Sequence, residues 1–190
     1  MPHRRRPIRP AHSVLAAVLL AGALSCAAHA QVAATDYDHS VNFLKYKTYT
    51  VQKIHATDPG VESRLVIALD RNLQARYLHP GDANADLILA VVQSSHDPAE
   101  YTNFYAGLTG LGWERSWSSG FMEGSPMVGD LKPGTLVLDM WDRRSGKLVW
   151  RGAITEPGSV TSSKEADQKL DKAVGQLLAK FPPKPDNGAK

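Results

Sequence analysis

The sequence predicts an α+β domain, a mainly antiparallel sheet of about 4–6 strands with two helices packed on one face. Three observations carry this reading. Two segments repeat apolar residues at spacings of three and four, one stretch alternates apolar and polar residues on both sides of a glycine turn, and the order is strand, helix, strand, a region without clear periodicity, hairpin, helix.

Tyr46 to Val51, rich in β-branched and aromatic residues, reads as the first strand. Asp58-Pro59 then opens a helix, Asp58 as N-cap and Pro59 in the first turn. Val61, Leu65, Ala68, Leu69 and Leu73 mark its buried stripe, and His79-Pro80-Gly81-Asp82 stops it near Leu78. Asp86 to Ser94 is a nearly unbroken apolar run and predicts a central strand buried on both faces. In the hairpin at 135–154, Arg144-Ser145-Gly146 forms the turn. With Arg143 opposite Lys147, Asp139 faces Arg151 and Met140 faces Trp150. Leu136, Leu138, Met140, Leu148, Trp150 and Ile154 then share the core face, while Val137, Asp139, Trp141, Val149 and Arg151 share a partly exposed one. A second helix begins near Ser163, its stripe running from Ala166 through Leu170, Val174 and Leu177 to Phe181, where Pro182-Pro183 ends it.

The first 30 residues have the order of a secretion signal. Arg4, Arg5, Arg6 and Arg9 precede an uncharged stretch, Val14 to Ser25, that is shorter than the ~20 residues a membrane-crossing helix needs. Ala28-His29-Ala30 fits cleavage before Gln31, which releases a periplasmic protein in a Gram-negative envelope. Ala23-Leu24-Ser25-Cys26 resembles a degenerate lipobox, which instead anchors the chain to a membrane through Cys26. Residues 31–183 make one domain, and 184–190, following a proline-rich run, are expected to be disordered.

Removing the signal changes the charge. Four of the 22 basic residues and none of the 19 acidic ones lie in 1–30, so the formal +3 of the chain becomes −1 for 31–190. Without a run of Lys or Arg, nucleic acid is excluded as a partner. Cys26 is the only cysteine, so thiol catalysis, disulfides and thiolate metal sites are excluded from the cleaved domain.

The residues at both ends of the domain carry a resemblance. Asp36-Tyr37-Asp38 with Phe43 and Tyr46-Lys47-Thr48-Tyr49, then Ala85-Asp86, Gly134-Thr135-Leu136-Val137-Leu138-Asp139, Trp150-Arg151-Gly152 and Lys180-Phe181-Pro182-Pro183 follow in the order of the domain of unknown function 4136 family. The chain resembles that family over about residues 36–183. The resemblance implies a cell-envelope location, often as a lipoprotein, and brings no activity with it.

No local chemistry stands out. His39, His55, His79 and His96 form no metal-chelating pair, no serine sits in a nucleophile elbow, and no cofactor is expected. Asp36 and Asp38 read as a solvated N-terminal segment, and Asp139 with Arg151 as a half-exposed cross-strand ion pair worth ~0.5 kcal/mol. Between Tyr101 and Pro133, aromatic residues alternate with glycines, and Tyr105, Trp113, Trp117 and Phe121 are candidates for a partner-binding surface. The alternative is that these aromatics pack on the sheet. The leading expectation is a non-catalytic envelope domain that binds a protein, lipid or cell-wall component, touching a membrane only if Cys26 is lipidated. A hydrolase assembled from distant Asp, His and Ser residues and a small-ligand carrier are the alternatives.

Overall fold

The computed structural model describes residues 33–56, 58–94, 103–106, 108, 132–155 and 163–184. In chain order these form β1 (Ala33–Tyr37), a 3-10 turn (Phe43–Lys45), β2 (Thr48–His55), α1 (Pro59–Gln74), β3 (His79–Pro80), β4 (Leu87–Gln93), β5 (Thr135–Asp142), β6 (Lys147–Thr155) and α2 (Ser163–Leu177). A single helical turn at 103–106 lies between β4 and β5.

The strands form one sheet in the order β1-β6-β5-β4-β2-β3. Three neighbouring pairs run antiparallel, but β2 runs parallel to both β4 and β3, so the sheet is mixed and not mainly antiparallel. The cause is α1. A short turn would reverse the chain beside β2, whereas this 16-residue helix carries it back to the end at which β2 began, and the next strand then runs the same way.

α1 starts where its caps dictate. The Asp58 carboxylate accepts the Gly60 N–H at 2.6 Å, and Pro59 occupies the first helical position. The helix ends at Gln74, earlier than the apolar spacing suggests, because Tyr77 takes φ 63°. Tyr77 N–H then reaches Gln74 O at 3.0 Å and Leu78 N–H reaches Leu73 O at 3.1 Å, the paired bonds of a left-handed helix terminus. This turn frees His79 to pair with the start of β2.

α1 and α2 pack on one sheet face. Leu65, Leu69 and Leu73 of α1, with Val174 and Leu177 of α2, bury themselves against Leu87, Leu89, Leu138, Met140 and Trp150. The helices lie side by side in the same direction, as the order of their ties shows: Arg64 to Asp167, Arg71 to Asp171, and Arg76 to the Leu178 carbonyl. The opposite face is also buried. Ile88, Ala90, Val92, Val137, Trp141, Leu148 and Ala153 form a second cluster beneath Phe104, Tyr105 and Leu108. The central β4 therefore has apolar residues on both sides, as its unbroken run predicts.

The hairpin departs from the predicted register at its turn. Asp139 faces Arg151 and Met140 faces Trp150 as expected, but beyond them Trp141 pairs with Leu148 and Asp142 with Lys147. Val149 is the extra residue of a β-bulge. Since side chains alternate strictly, one added residue exchanges the faces, so Val149 joins the helix-side core and Leu148 the opposite cluster. At the start of the domain, Ala33–Tyr37 forms an edge strand antiparallel to β6, so Asp36 is a strand residue and not part of a solvated tail. Its carboxylate accepts the Tyr37 N–H at 2.9 Å.

Candidate functional site

The most highly charged buried group lies on the sheet face away from the helices. Asp139 on β5 and Arg151 on β6 are 0% and 1% exposed, so the expected half-exposed ion pair is a buried one. The cross-strand register sets the two Cα atoms opposite each other, and Arg151 reaches the carboxylate with both Nε and Nη2, each at 2.5 Å. Tyr105 completes the group, its phenol donating to Asp139 Oδ2 at 2.6 Å and accepting from Arg151 Nη2 at 3.3 Å. Lys53 of β2 holds the same segment from its neighbour, donating to the Phe104 carbonyl at 2.7 Å. Every carboxylate oxygen of Asp139 is thus engaged within the protein.

Tyr105 consequently turns inward and is 7% exposed, which removes it from an exposed contact surface. Trp113, Trp117 and Phe121, together with Ala30, Gln31 and Cys26, lie outside the described residues. Of the histidines, His39 stacks on Tyr37, His55 sits 3.9 Å from Glu62, and exposed His79 lies in β3, far from either. Among the described residues no group of three or more His, Cys, Asp or Glu side chains is placed to hold a metal ion. No helix there is long and apolar enough to cross a membrane.

The motif residues from both ends of the sequence converge at the end of the sheet where β2 and β4 begin. Phe43 meets Tyr37, Tyr46 and Phe181 edge-on, with ring centres 5.8–5.9 Å apart, and Phe181 meets Trp150 at 5.5 Å. Asp86 joins the two parallel strands there, accepting from Lys47 N–H at 2.8 Å and from the Thr48 N–H and hydroxyl. Those bonds, led by the Lys47 amide, hold its carboxyl below the usual range. Asp142, at the end of β5, accepts from Lys45 at 2.9 Å, Tyr46 at 2.7 Å and the Ser145 N–H at 2.8 Å. Burial alone would raise its pKa, but these donors outweigh it and hold the carboxyl well below the carboxylate range. The Tyr46 phenol is pushed far upward, first by burial and then by Asp142, and so remains protonated at neutral pH.

The acid response follows from the sign of these shifts. A carboxyl whose folded pKa lies below its unfolded value of about 3.9 stabilises the fold above that pH and loses the contribution as pH falls. Thermal stability is therefore expected to drop below about pH 4. Asp142→Asn should flatten that drop while lowering the plateau at neutral pH, as read by melting curves across pH. An unchanged acid profile in the variant would dismiss Asp142 as a contributor.

Beside β1 lies a cleft of about 390 Å³, lined chiefly by Thr35, Tyr37, Trp150, Phe181, Pro182 and Pro183. Nothing local in the sequence announces it, because its walls come from β1, β6 and the segment after α2. Each wall residue is individually ordinary.

Comparison with known proteins agrees with this architecture. Residues 33–183 match the family model described as Domain of unknown function (DUF4136). The fold is similar to the crystal structure of a DUF4136 family protein from Bacteroides thetaiotaomicron VPI-5482, at 20% identity, TM-score 0.51, and coverage of 80% of this chain and 96% of that one. A PDZ domain protein from Parabacteroides distasonis ATCC 8503 is similar at 13% identity and TM-score 0.51, over 81% of this chain but only 36% of that protein. The PelC dodecamer from Paraburkholderia phytofirmans aligns at 12% identity and TM-score 0.46, over 78% and 94% of the two chains. No curated protein matches. Since the family model spans the described fold from β1 to the segment after α2, the chain belongs to the DUF4136 family.

Proposed function

We propose that this is a non-catalytic domain of the bacterial cell envelope that works by binding a protein, lipid or cell-wall partner. It is exported by residues 1–30 and then either freed into the periplasm by cleavage before Gln31 or anchored through Cys26. The observation that supports the non-catalytic reading is the closure of the Asp139–Arg151–Tyr105 group. A general acid or base must reach its substrate, and here the carboxylate is fully buried with its oxygens held by Arg151 and Tyr105. Trp113, Trp117 and Phe121 remain the proposed contact residues of the glycine-rich segment.

Crosslinking and pull-down from envelope fractions tests the reading. A discrete partner that is lost with Trp113→Ala and Trp117→Ala is the expected result; turnover of an envelope ester or amide, abolished by a substitution that leaves the fold intact, would establish the hydrolase alternative instead. Mass spectrometry of the mature N-terminus decides between Gln31 and lipidated Cys26.

A further inference from the structure

The end of the sheet where β2 and β4 begin is also the basic end of the domain. The pairings Tyr49 to Leu87, Leu87 to Asp142 and Asp142 to Lys147 put the start of β2, the start of β4 and the β5–β6 turn side by side. The end of β1 and the segment after α2 join them around the cleft. Lys45, Lys47, Arg144, Lys147, Lys180 and Lys184 are all exposed there. The carboxylates at this end are each committed to the protein. Asp142 and Asp86 bond inward as described, Asp36 holds Tyr37 N–H, Asp38 accepts from Ser40 N–H and hydroxyl, and Asp82 from Asn84 N–H. Six exposed cations, one of them Lys45 paired with Asp142, therefore stand at this end against five carboxylates whose oxygens are largely taken up by the protein.

Two exposed apolar side chains lie at the β2–β3 side of this end, next in sequence to Lys45 and close in sequence to the residues paired with Lys47 and Thr48. Leu44 is 57% exposed and Tyr77 is 80% exposed. The two are joined locally, since His79 N–H donates to the Lys47 carbonyl at 2.9 Å, two residues beyond Tyr77 and three beyond Leu44. Tyr77 is also strained. Its φ of 63° is a conformation in which a side chain is disfavoured and glycine is at ease, yet the position holds a large aromatic pointed at solvent.

We propose that this end of the domain docks on an anionic phospholipid surface, with the lysines and arginines against the headgroups and Leu44 and Tyr77 entering the interface. Exposed cations at the same end as an exposed aromatic and an exposed aliphatic side chain match the chemistry of that boundary, where charge attracts and amphipathic rings settle. An anionic polymer would use the cations but have no need of Leu44 and Tyr77. The inference rests on the envelope-domain reading and adds a lipid contact to it, separate from the one proposed for Trp113, Trp117 and Phe121.

Protein purified from expressing cells and sedimented with phosphatidylcholine vesicles should bind only when phosphatidylglycerol is included, and less as salt rises. The double variant Arg144→Glu/Lys147→Glu should weaken binding at least roughly tenfold. Tyr77→Gly separates docking from folding: its thermal midpoint should rise by about 2–4 °C as strain is relieved, while its vesicle binding falls. Ile67→Ser, which changes an exposed apolar residue on α1, should bind like the parent. No binding to phosphatidylglycerol vesicles, or binding unaffected by Tyr77→Gly, overturns the proposal. Retention on dextran sulfate as tight as on vesicles overturns it in favour of an anionic polymer. A protein partner recovered by envelope crosslinking in any of those cases leaves the envelope-domain reading standing without the lipid contact.

Discussion

Replacing Asp139 by alanine is expected to destabilise the domain by about 3–5 kcal/mol in urea unfolding at neutral pH. The loss comes from what remains behind. Arg151 stays 1% exposed with its carboxylate removed, and a buried guanidinium without a counter-charge bears nearly its whole desolvation cost. Truncating the pair together should be far milder. Asp139→Leu with Arg151→Met leaves no isolated charge, and matched apolar replacements of buried pairs are often close to neutral. Tyr105→Phe, which removes one donor to Asp139, should cost about 1 kcal/mol. A loss below about 1 kcal/mol in Asp139→Ala would mean that water reaches the pair in solution, as in an exposed ion pair.

Gly152→Ala is expected to cost about 1–3 kcal/mol or more, although it adds a single methyl group. A Cβ at Gly152 would collide with the Trp150 ring and lie 2.7 Å from Leu177 Cδ1, and both neighbours are completely buried. Trp150 and Gly152 are two apart on β6 and so share a face, which lets the indole lie across the glycine backbone while α2 closes over it. Neither group can retreat without disturbing the packing of Phe181 or α2. Leu177→Ala should therefore be partly non-additive with Gly152→Ala, because shortening Leu177 makes room for the new methyl. A neutral Gly152→Ala, or strict additivity in that double variant, would show that the helix–sheet contact is looser than described.

What sequence alone determined was the set of features whose physics is local. The Asp58 cap, the apolar stripes of both helices, the buried run of β4 and the pairing of Asp139 with Arg151 all depend on residues near one another in the chain or joined by one turn. The charge of residues 31–190 and the family resemblance were legible for a similar reason, being properties of order and composition. The candidate site was legible only in fragments. Tyr37, Phe43, Trp150 and Phe181 were visible as motifs, but nothing local says that their rings meet, and the basic end collects cations from segments far apart in the chain.

Tertiary structure decided the rest wherever an element depends on a distant partner. β1 has too little alternation to announce itself and becomes a strand because β6 pairs with it. The bulge at Val149 exchanges two side chains between faces, a difference of one residue that both patterns tolerate. Parallel pairing of β2 and β4 follows from the path of α1, and the inward turn of Tyr105 from a buried carboxylate that needs a donor. Burial itself was the quantity out of reach: an alternating strand shows which side chains share a face, while only packing shows whether that face is covered.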